Sequence, residues 1–461
     1  MMKFDNSYLR DLPGTYLRLD PDVAPSPRLV AYNDDLAAAL GLEIAPGQAA
    51  RWFSGAEVPE GAAPLAMAYA GHQFGGFSAQ LGDGRAHLLG EVLGPDGRRW
   101  DIHLKGSGRT PFSRGGDGRA AVGPMLREFL MGEAMAALGI PTTRALSVVA
   151  TGQEVLRDTG RVPGAVLARV AASHLRVGTF QFFAARGEVG HLRALTDYTI
   201  ARHCPGAEGA LGLFDAVAAT QCRLIAQWMG VGFIHGVMNT DNMALSGETI
   251  DYGPCAMMDA YAPGRVFSSI DRQGRYAYAN QPLILGWNLA RFIEALVPLI
   301  DADGERAVEI ANDRLGRIAG AYQAEWLAVM RGKLGLSGQD AGDLALADGF
   351  LAAMAAAGAD FTLAFRRLGG AMEPALEAAL ADWLPAWAAR GGRAAPGCNP
   401  AVIARNHLVE AALEAATAGD IVPFERLLAA VRQPYAPEAG REAFVLPPPD
   451  GLAPHVTYCG T

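Results

Sequence analysis

The sequence predicts an α+β chain, with a small β-rich lobe followed by a larger helical lobe and a polar loop inside the latter. Three observations predict it. From Leu65 to Val170, short β-prone runs alternate with Gly-rich turns. From Ser173 onward the apolar residues recur at helical spacing through several Ala-rich stretches. Among these lies a compact irregular segment, His235 to Asp259, dense in Gly, Asn and Asp.

Residues 1–60 are Pro-punctuated and read as an N-terminal extension, with a helical stretch around Asn33 to Leu40. The β-rich lobe spans residues 61–170. Its clearest element is a hairpin, His87–Leu93 and Trp100–Lys105 around Gly94-Pro-Asp-Gly97. Period-two alternation puts Trp100, Ile102 and Leu104 on one face and Asp101, His103 and Lys105 on the other. A helix from about Val122 to Leu138 carries Met125, Phe129 and Leu130 on its apolar stripe and leaves Glu128 beside it. Strands near Leu146–Ala150 and Ala165–Val170 flank a turn at Asp158–Gly160. The helical lobe, residues 171–440, opens with helices near 174–186, 192–203 and 214–230. A tail, residues 441–461, holds Pro447–Pro449 and Cys459.

Composition narrows the function. The chain has 461 residues, half hydrophobic and 19% charged, with 39 Lys+Arg against 48 Asp+Glu for a net charge of −9. An acidic balance argues against a general nucleic-acid binder. No apolar run stands out as a membrane span of roughly 18 residues; the best stretch, Leu351–Phe365, is short and broken by Asp360. No apolar core follows Lys3, so no signal peptide is expected. Five Cys without CxxC or zinc spacing give neither a disulfide scaffold nor a zinc site. These features together predict a cytoplasmic protein. Only three of the basic residues are Lys: Lys3, Lys105 and Lys333. Where Arg fills almost every cationic position, a retained Lys points to a need for a compact charge. Lys3 and Lys333 read as surface residues, and Lys105 as functional.

Lys105 on a strand and Glu128 on the following helix match the way kinase-like folds aim one cation at a nucleotide's phosphates. An ordinary ion pair has the same signature. Gly71–Arg85 is Gly-rich ahead of a strand, so its amides and Arg85 can approach phosphate oxygens; there is no Walker A motif. His235-Gly-Val-Met-Asn-Thr-Asp-Asn242 precedes Asp251-Tyr-Gly253 by nine residues. Asn242 and Asp251 supply the oxygen ligands that Mg²⁺ takes. The position of the kinase base, counted from His235, holds Val237, which accepts no proton; Asp241 offers a carboxylate next to Asn242. Asp117 and Gly118 sit in a Gly-rich loop. Arg169 and Arg176 lie near the strand end and helix start where the lobes meet, placed to clamp phosphate.

Gly82–Arg85, Lys105-Gly-Ser-Gly-Arg-Thr-Pro111, Ser173–Gln181, His235–Met243, Asp251–Pro254 and Tyr276–Pro282 together resemble the signature of the selenoprotein O family over nearly the whole chain. The resemblance implies a protein-kinase-like two-lobed fold that binds ATP in flipped orientation. It implies transfer of AMP to Ser, Thr or Tyr hydroxyls of proteins. Gly82, Gly84, Arg85, Lys105, Asp117, Gly118, Arg169, Arg176 and Asp251 would then bind the nucleotide. Asn242 and Asp251 would hold Mg²⁺ (or Mn²⁺), Asp241 would be the general base, and Glu128 would orient Lys105. The resemblance further implies a regulatory bond between Cys255 and the C-terminal Cys459, whereas Cys204, Cys222 and Cys398 read as packing residues. Three alternatives stay open: UMP transfer from UTP with Mn²⁺, a non-catalytic nucleotide-binding scaffold, and a γ-phosphoryl-transferring kinase.

Overall fold

The computed structural model describes residues 2–158, 160–393, 397–449 and 451–458. It is an α+β structure around one antiparallel sheet. The strands are β1 (Tyr16–Arg18), β2 (Arg28–Tyr32), β3 (Leu65–Met67), β6 (Ala86–Leu93), β7 (Arg99–Lys105), β9 (Arg144–Arg157) and β10 (Gly160–Ala171). Their order across the sheet is β1-β3-β6-β7-β10-β9-β2, with the short β8 (Ala120–Ala121) pairing β10. A separate small hairpin, β4 (Gly71–Gln73) with β5 (Gly76–Ser78), stands outside this sheet.

The expected hairpin forms as β6 and β7, with His87 opposite Leu104 and Ala86 opposite Lys105. Its two faces have different fates. Ile102 and Leu104 join Leu89, Val149 and Val166 in a core closed by α2 (Asp34–Ala39) and α3 (Pro46–Phe53). On the opposite face Asp101 pairs with His174 and Arg202, His103 with Asp83, and Lys105 with Glu128 of α4 (Val122–Ala137); α4 itself packs on β9 and β10, with Met125, Leu126 and Phe129 in the main core. Asn33 caps α2 by accepting a hydrogen bond from the Leu36 amide at 3.2 Å.

The first sixty residues do more than the extension expected of them. They supply β1 and β2, the two edges of the sheet, with Arg28 to Tyr32 paired to Ala150 to Ser147. Strands β9 and β10 run longer than the sequence suggested. Then come α5 (Val177–Ala184), α6 (Val189–His203), α7 (Gly209–Val231) and α8 (Gln281–Ile300), followed by further helices up to Glu442–Val445. Helices Asn406–Thr417 and Val422–Val431 return to pack on α4.

Three residue-level expectations are corrected. Lys333 is buried, not on the surface; its ammonium donates to Asn399 Oδ1 at 2.9 Å and lies 4.0 Å from the Phe365 ring centre. Cys398 is exposed and not a packing residue. The segment Tyr278–Ile300 has a mean hydropathy of 1.6 and is long enough to cross a membrane, so Leu351–Phe365 is not the chain's best candidate stretch. In the fold, Leu285, Leu289, Phe292 and Leu296 of this helix lie in the main core.

Candidate active site

The inner face of β7 ends on Lys105, which is buried against α4 and the loop after β11 (Phe233–Ile234). Its ammonium donates to Glu128 Oε1 and, at 2.7 Å, to Asp251 Oδ1. The other Glu128 oxygen lies 3.8 Å from Arg169 Nη1. Each charge in this cluster has an opposite charge in reach, which is what makes burial of the group tolerable. Burial alone would raise the Asp251 carboxyl, but the Lys105 ammonium overrides it and holds the group well below the usual carboxylate range. Asp251 also has φ 68, a left-handed backbone that a non-glycine residue seldom adopts.

Asp241 and Asn242 belong to a single 3₁₀ turn, Thr240–Asn242. His235 anchors the loop from below: its ring pairs with the Ile250 carbonyl at 2.9 Å and stacks on Trp228. The Asn242 amide donates to the Val237 carbonyl at 3.1 Å, which leaves its own oxygen for another partner. Asp241 is 7% exposed. Its Oδ2 accepts a long 3.4 Å bond from Gln73 Nε2, and its buried Oδ1 has no partner among the described residues. Burial pushes this carboxyl up to about 6, against the pull of Arg176. The Asn242 and Asp251 side-chain oxygens, which line one cleft with Asp241, are hard donors of the kind that Mg²⁺ or Mn²⁺ takes. Among the described residues no three His, Cys, Asp or Glu side chains converge as a ligand group, so such an ion would lean on Asn242 as well as on carboxylates.

These residues open onto one cleft of about 750 Å³, ample for a nucleotide. Arg85, Lys105, Glu128, Asp241, Asn242 and Asp251 all line it. The remaining predicted residues do not. Arg169 and Arg176 are buried behind the wall. Arg169 donates to His103 Nδ1 at 3.0 Å; Arg176 donates to the Asp241 carbonyl at 2.9 Å and lies over the Tyr69 ring. Gly82 has φ 63, and a Cβ there would strike the Phe112 ring at 2.2 Å; Gly84 is closed off by the Phe112 carbonyl. Both keep the loop tight beside Arg85. Asp117 is exposed and pairs with Arg157 at 2.8 Å, while Gly118 packs against the Gly108 backbone.

Three residues of the site carry no role in the sequence analysis: Asp83, His103 and Gln73. Asp83 accepts from the Met67 amide at 3.0 Å and from His103 Nε2 at 3.1 Å, so one buried carboxylate holds the ring that in turn accepts from Arg169. Asp83 stood inside the Gly82–Arg85 motif, and His103 on the Lys105 face of β7, so both signals were present. Gln73 carried no signal; only the fold brings it to Asp241.

The redox expectation falls on Cys459, which lies outside the described residues. Cys255 is buried, its thiol donates to the Tyr252 carbonyl at 3.2 Å, and burial pushes it up to about 12. The tail does return to this loop: Thr457 Oγ1 donates to the Pro254 carbonyl at 2.8 Å, and Tyr458 lines the cleft.

A profile of the family described as Protein adenylyltransferase SelO matches residues 2–386. A protein of Cereibacter sphaeroides called Protein nucleotidyltransferase YdiU is 58% identical, covering 100% of this chain and 99% of its own. Proteins of the same name from Sphingopyxis alaskensis and a Jannaschia species are 54% and 52% identical, each over 99% of both chains. With identity of this order along the full length, the chain is an enzyme of the protein nucleotidyltransferase class. It belongs to the SelO/YdiU family.

Proposed function

We propose that the protein transfers AMP from ATP to Ser, Thr or Tyr hydroxyls of target proteins, with Mg²⁺ or Mn²⁺ held by Asn242 and Asp251. The observation that carries this reading is Asp241: a buried carboxylate with an unpartnered oxygen and a pKa of about 6, at the cleft and away from the usual kinase base position, where Val237 stands. A base with a pKa near the working pH combines a deprotonated ground state with useful proton affinity. Asp241 takes the proton from the acceptor hydroxyl. The hydroxyl oxygen bonds to the α-phosphorus, the α–β anhydride bond breaks, and pyrophosphate leaves with its electron pair.

Lys105, oriented by Glu128, and Arg85 meet phosphate oxygens along the cleft. Arg169 and Arg176 add positive charge from behind the wall, Arg169 beside Glu128 and Arg176 on the Asp241 carbonyl. Gly82, Gly84, Asp117 and Gly118 shape the loops around them. A bound divalent ion supplies charge stabilisation at the phosphates. The Lys105–Glu128 pair with Asp251 supports a kinase-like two-lobed arrangement, sheet and helices forming the lobes; a cytoplasmic location is part of the same proposal.

ATP labelled separately at the α- and γ-phosphate tests the reading. The expected result is α-label in protein and none from γ. The γ-label alone would mean a kinase, and nucleotide binding without label a scaffold. UMP transfer from UTP with Mn²⁺ stays as a second reading because the relatives' name specifies no nucleotide; labelled UTP run beside ATP decides between them.

A further inference from the structure

We propose that the β4–β5 hairpin, together with Trp287 and Arg275, is the docking surface for the acceptor protein, and that it takes a segment bearing carboxylates next to an apolar side chain. This rests on the reading of the chain as an enzyme that modifies proteins.

The hairpin tip presents Phe74 and Phe77, 36% and 45% exposed. Neither is a loose loop residue. Phe74 has φ 51, a conformation strongly disfavoured for a bulky side chain, and its ring packs edge-on against Tyr276. Phe77 rests on His72, and His72 on Trp287, with ring centres 4.8 and 5.1 Å apart. Arg275 lies 4.7 Å over the Trp287 ring. Aromatic side chains and a stacked Arg form the composition that dominates binding energy in protein interfaces.

The surface is bolted to the loop that carries Asp241. The His72 amide donates to Thr240 Oγ1 at 2.8 Å and the Phe74 amide to Asn239 Oδ1 at 3.1 Å; Tyr276 donates to the same Asn239 oxygen at 2.6 Å. Gln73, between the two, reaches Asp241 itself. A chain lying on Phe74 and Phe77 is therefore held in register with the proposed base. Holding an acceptor in fixed geometry is a large part of what such a surface contributes to rate.

Charge selects the occupant. The Arg275 backbone amide donates to Asp271 Oδ1 at 2.9 Å, but its guanidinium forms no ion pair among the described residues and its Nε is buried without a partner. Arg291, 5.2 Å from the Trp287 ring centre, is already paired with Glu294. The Arg275 guanidinium is thus free to pair with an incoming carboxylate while Trp287 shields it.

Two fluorescent peptides test this by anisotropy, each with one Ser and one Phe, flanked by Asp in one and Lys in the other. The wild type should bind the Asp peptide at least tenfold more tightly than its twin. Arg275→Glu should reverse that order, and Trp287→Ala should weaken both peptides. ATP affinity should stay within twofold in both variants, with unchanged thermal melting. Equal binding of the two peptides by wild type, or an unchanged preference in Arg275→Glu, overturns the proposal. Because binding is read directly, a failure of AMP transfer with labelled ATP would be seen apart from it.

Discussion

Lys105→Arg keeps the charge and should still cost most of the activity. The Lys105 ammonium is a point donor between Glu128 and Asp251, with the Asp251 contact at 2.7 Å, in a site where the residue is 6% exposed. A guanidinium is planar, wider and prefers a two-pronged contact with one carboxylate. In this space the fork would settle on Glu128 and move the charge by about 1 Å or more from its present position, a displacement that can cost about 10²-fold in rate. The ion pair itself survives, so global stability should change by no more than about 1–2 kcal/mol. The assay is initial rate with α-labelled ATP at saturating nucleotide, alongside thermal melting and ATP affinity. A turnover within threefold of wild type would refute the reasoning, since it would mean that Lys105 supplies charge alone.

Asp251→Ala should abolish transfer and metal-dependent nucleotide binding while the protein stays folded; near wild-type labelling at low metal concentration would rule out its ligand role. Asp241→Asn should lose about 10²–10⁴ in rate, the range for a general base. It should also gain stability. The folded carboxyl titrates at about 6 against 3.8 unfolded, so its ionisation costs the fold up to about 3 kcal/mol above pH 6. Urea melts of the metal-free proteins should show the variant ahead at pH 7.5 and level with wild type near pH 4. Lys333→Met concerns the buried lysine, whose ammonium burial lowers from 10.5 to about 7. The folded state then sheds a proton between pH 7 and 10.5 that the unfolded state keeps, so wild-type stability should rise across that window, by at most about 5 kcal/mol. The contacts with Phe365 and Asn399 reduce that ceiling. The Met variant should lose this rise, and urea melts that run parallel for the two proteins would contradict it.

What was legible in the sequence was local. The β6–β7 alternation is a period-two pattern across a Pro-Asp-Gly turn, and α4 is a helical stripe with Glu128 at its margin; each can be read within about ten residues. Edge strands β1 and β2 could not be read that way. They are short and Pro-flanked, and β2 exists because Arg28–Tyr32 finds Ser147–Ala150 more than a hundred residues on. Lys333 was misplaced for the same reason: Phe361, Phe365 and Asn399 bury it from other parts of the chain. Helix α8 is no unbroken apolar run because Asn288, Arg291 and Glu294 interrupt it, although its average hydropathy is high. In the site, motif order alone suggested that Lys105, Glu128, Asp241, Asn242 and Asp251 converge, and they do line one cleft. It could not separate residues that face the cleft from those behind its wall, such as Arg169 and Arg176, because that depends on which way a strand end and a helix cap point.

Backbone strain adds a second route to the same place. Among the described residues four non-glycines have positive φ: Asn6, Phe74, Arg114 and Asp251. Two of the four meet the Asp241 loop. Asp251 is held by Lys105, and Phe74 donates its amide to Asn239. Each such conformation costs on the order of 1–3 kcal/mol and persists only where surrounding contacts over-determine it. At Asp251 those contacts are an ion pair with Lys105, and at Phe74 a buried side-chain acceptor on Asn239 together with the Tyr276 ring. Asp251 is aimed into the cleft and Phe74 out of the surface. The left-handed turns thus set the directions that a metal ligand and an acceptor anchor would need on the two sides of one proposed base.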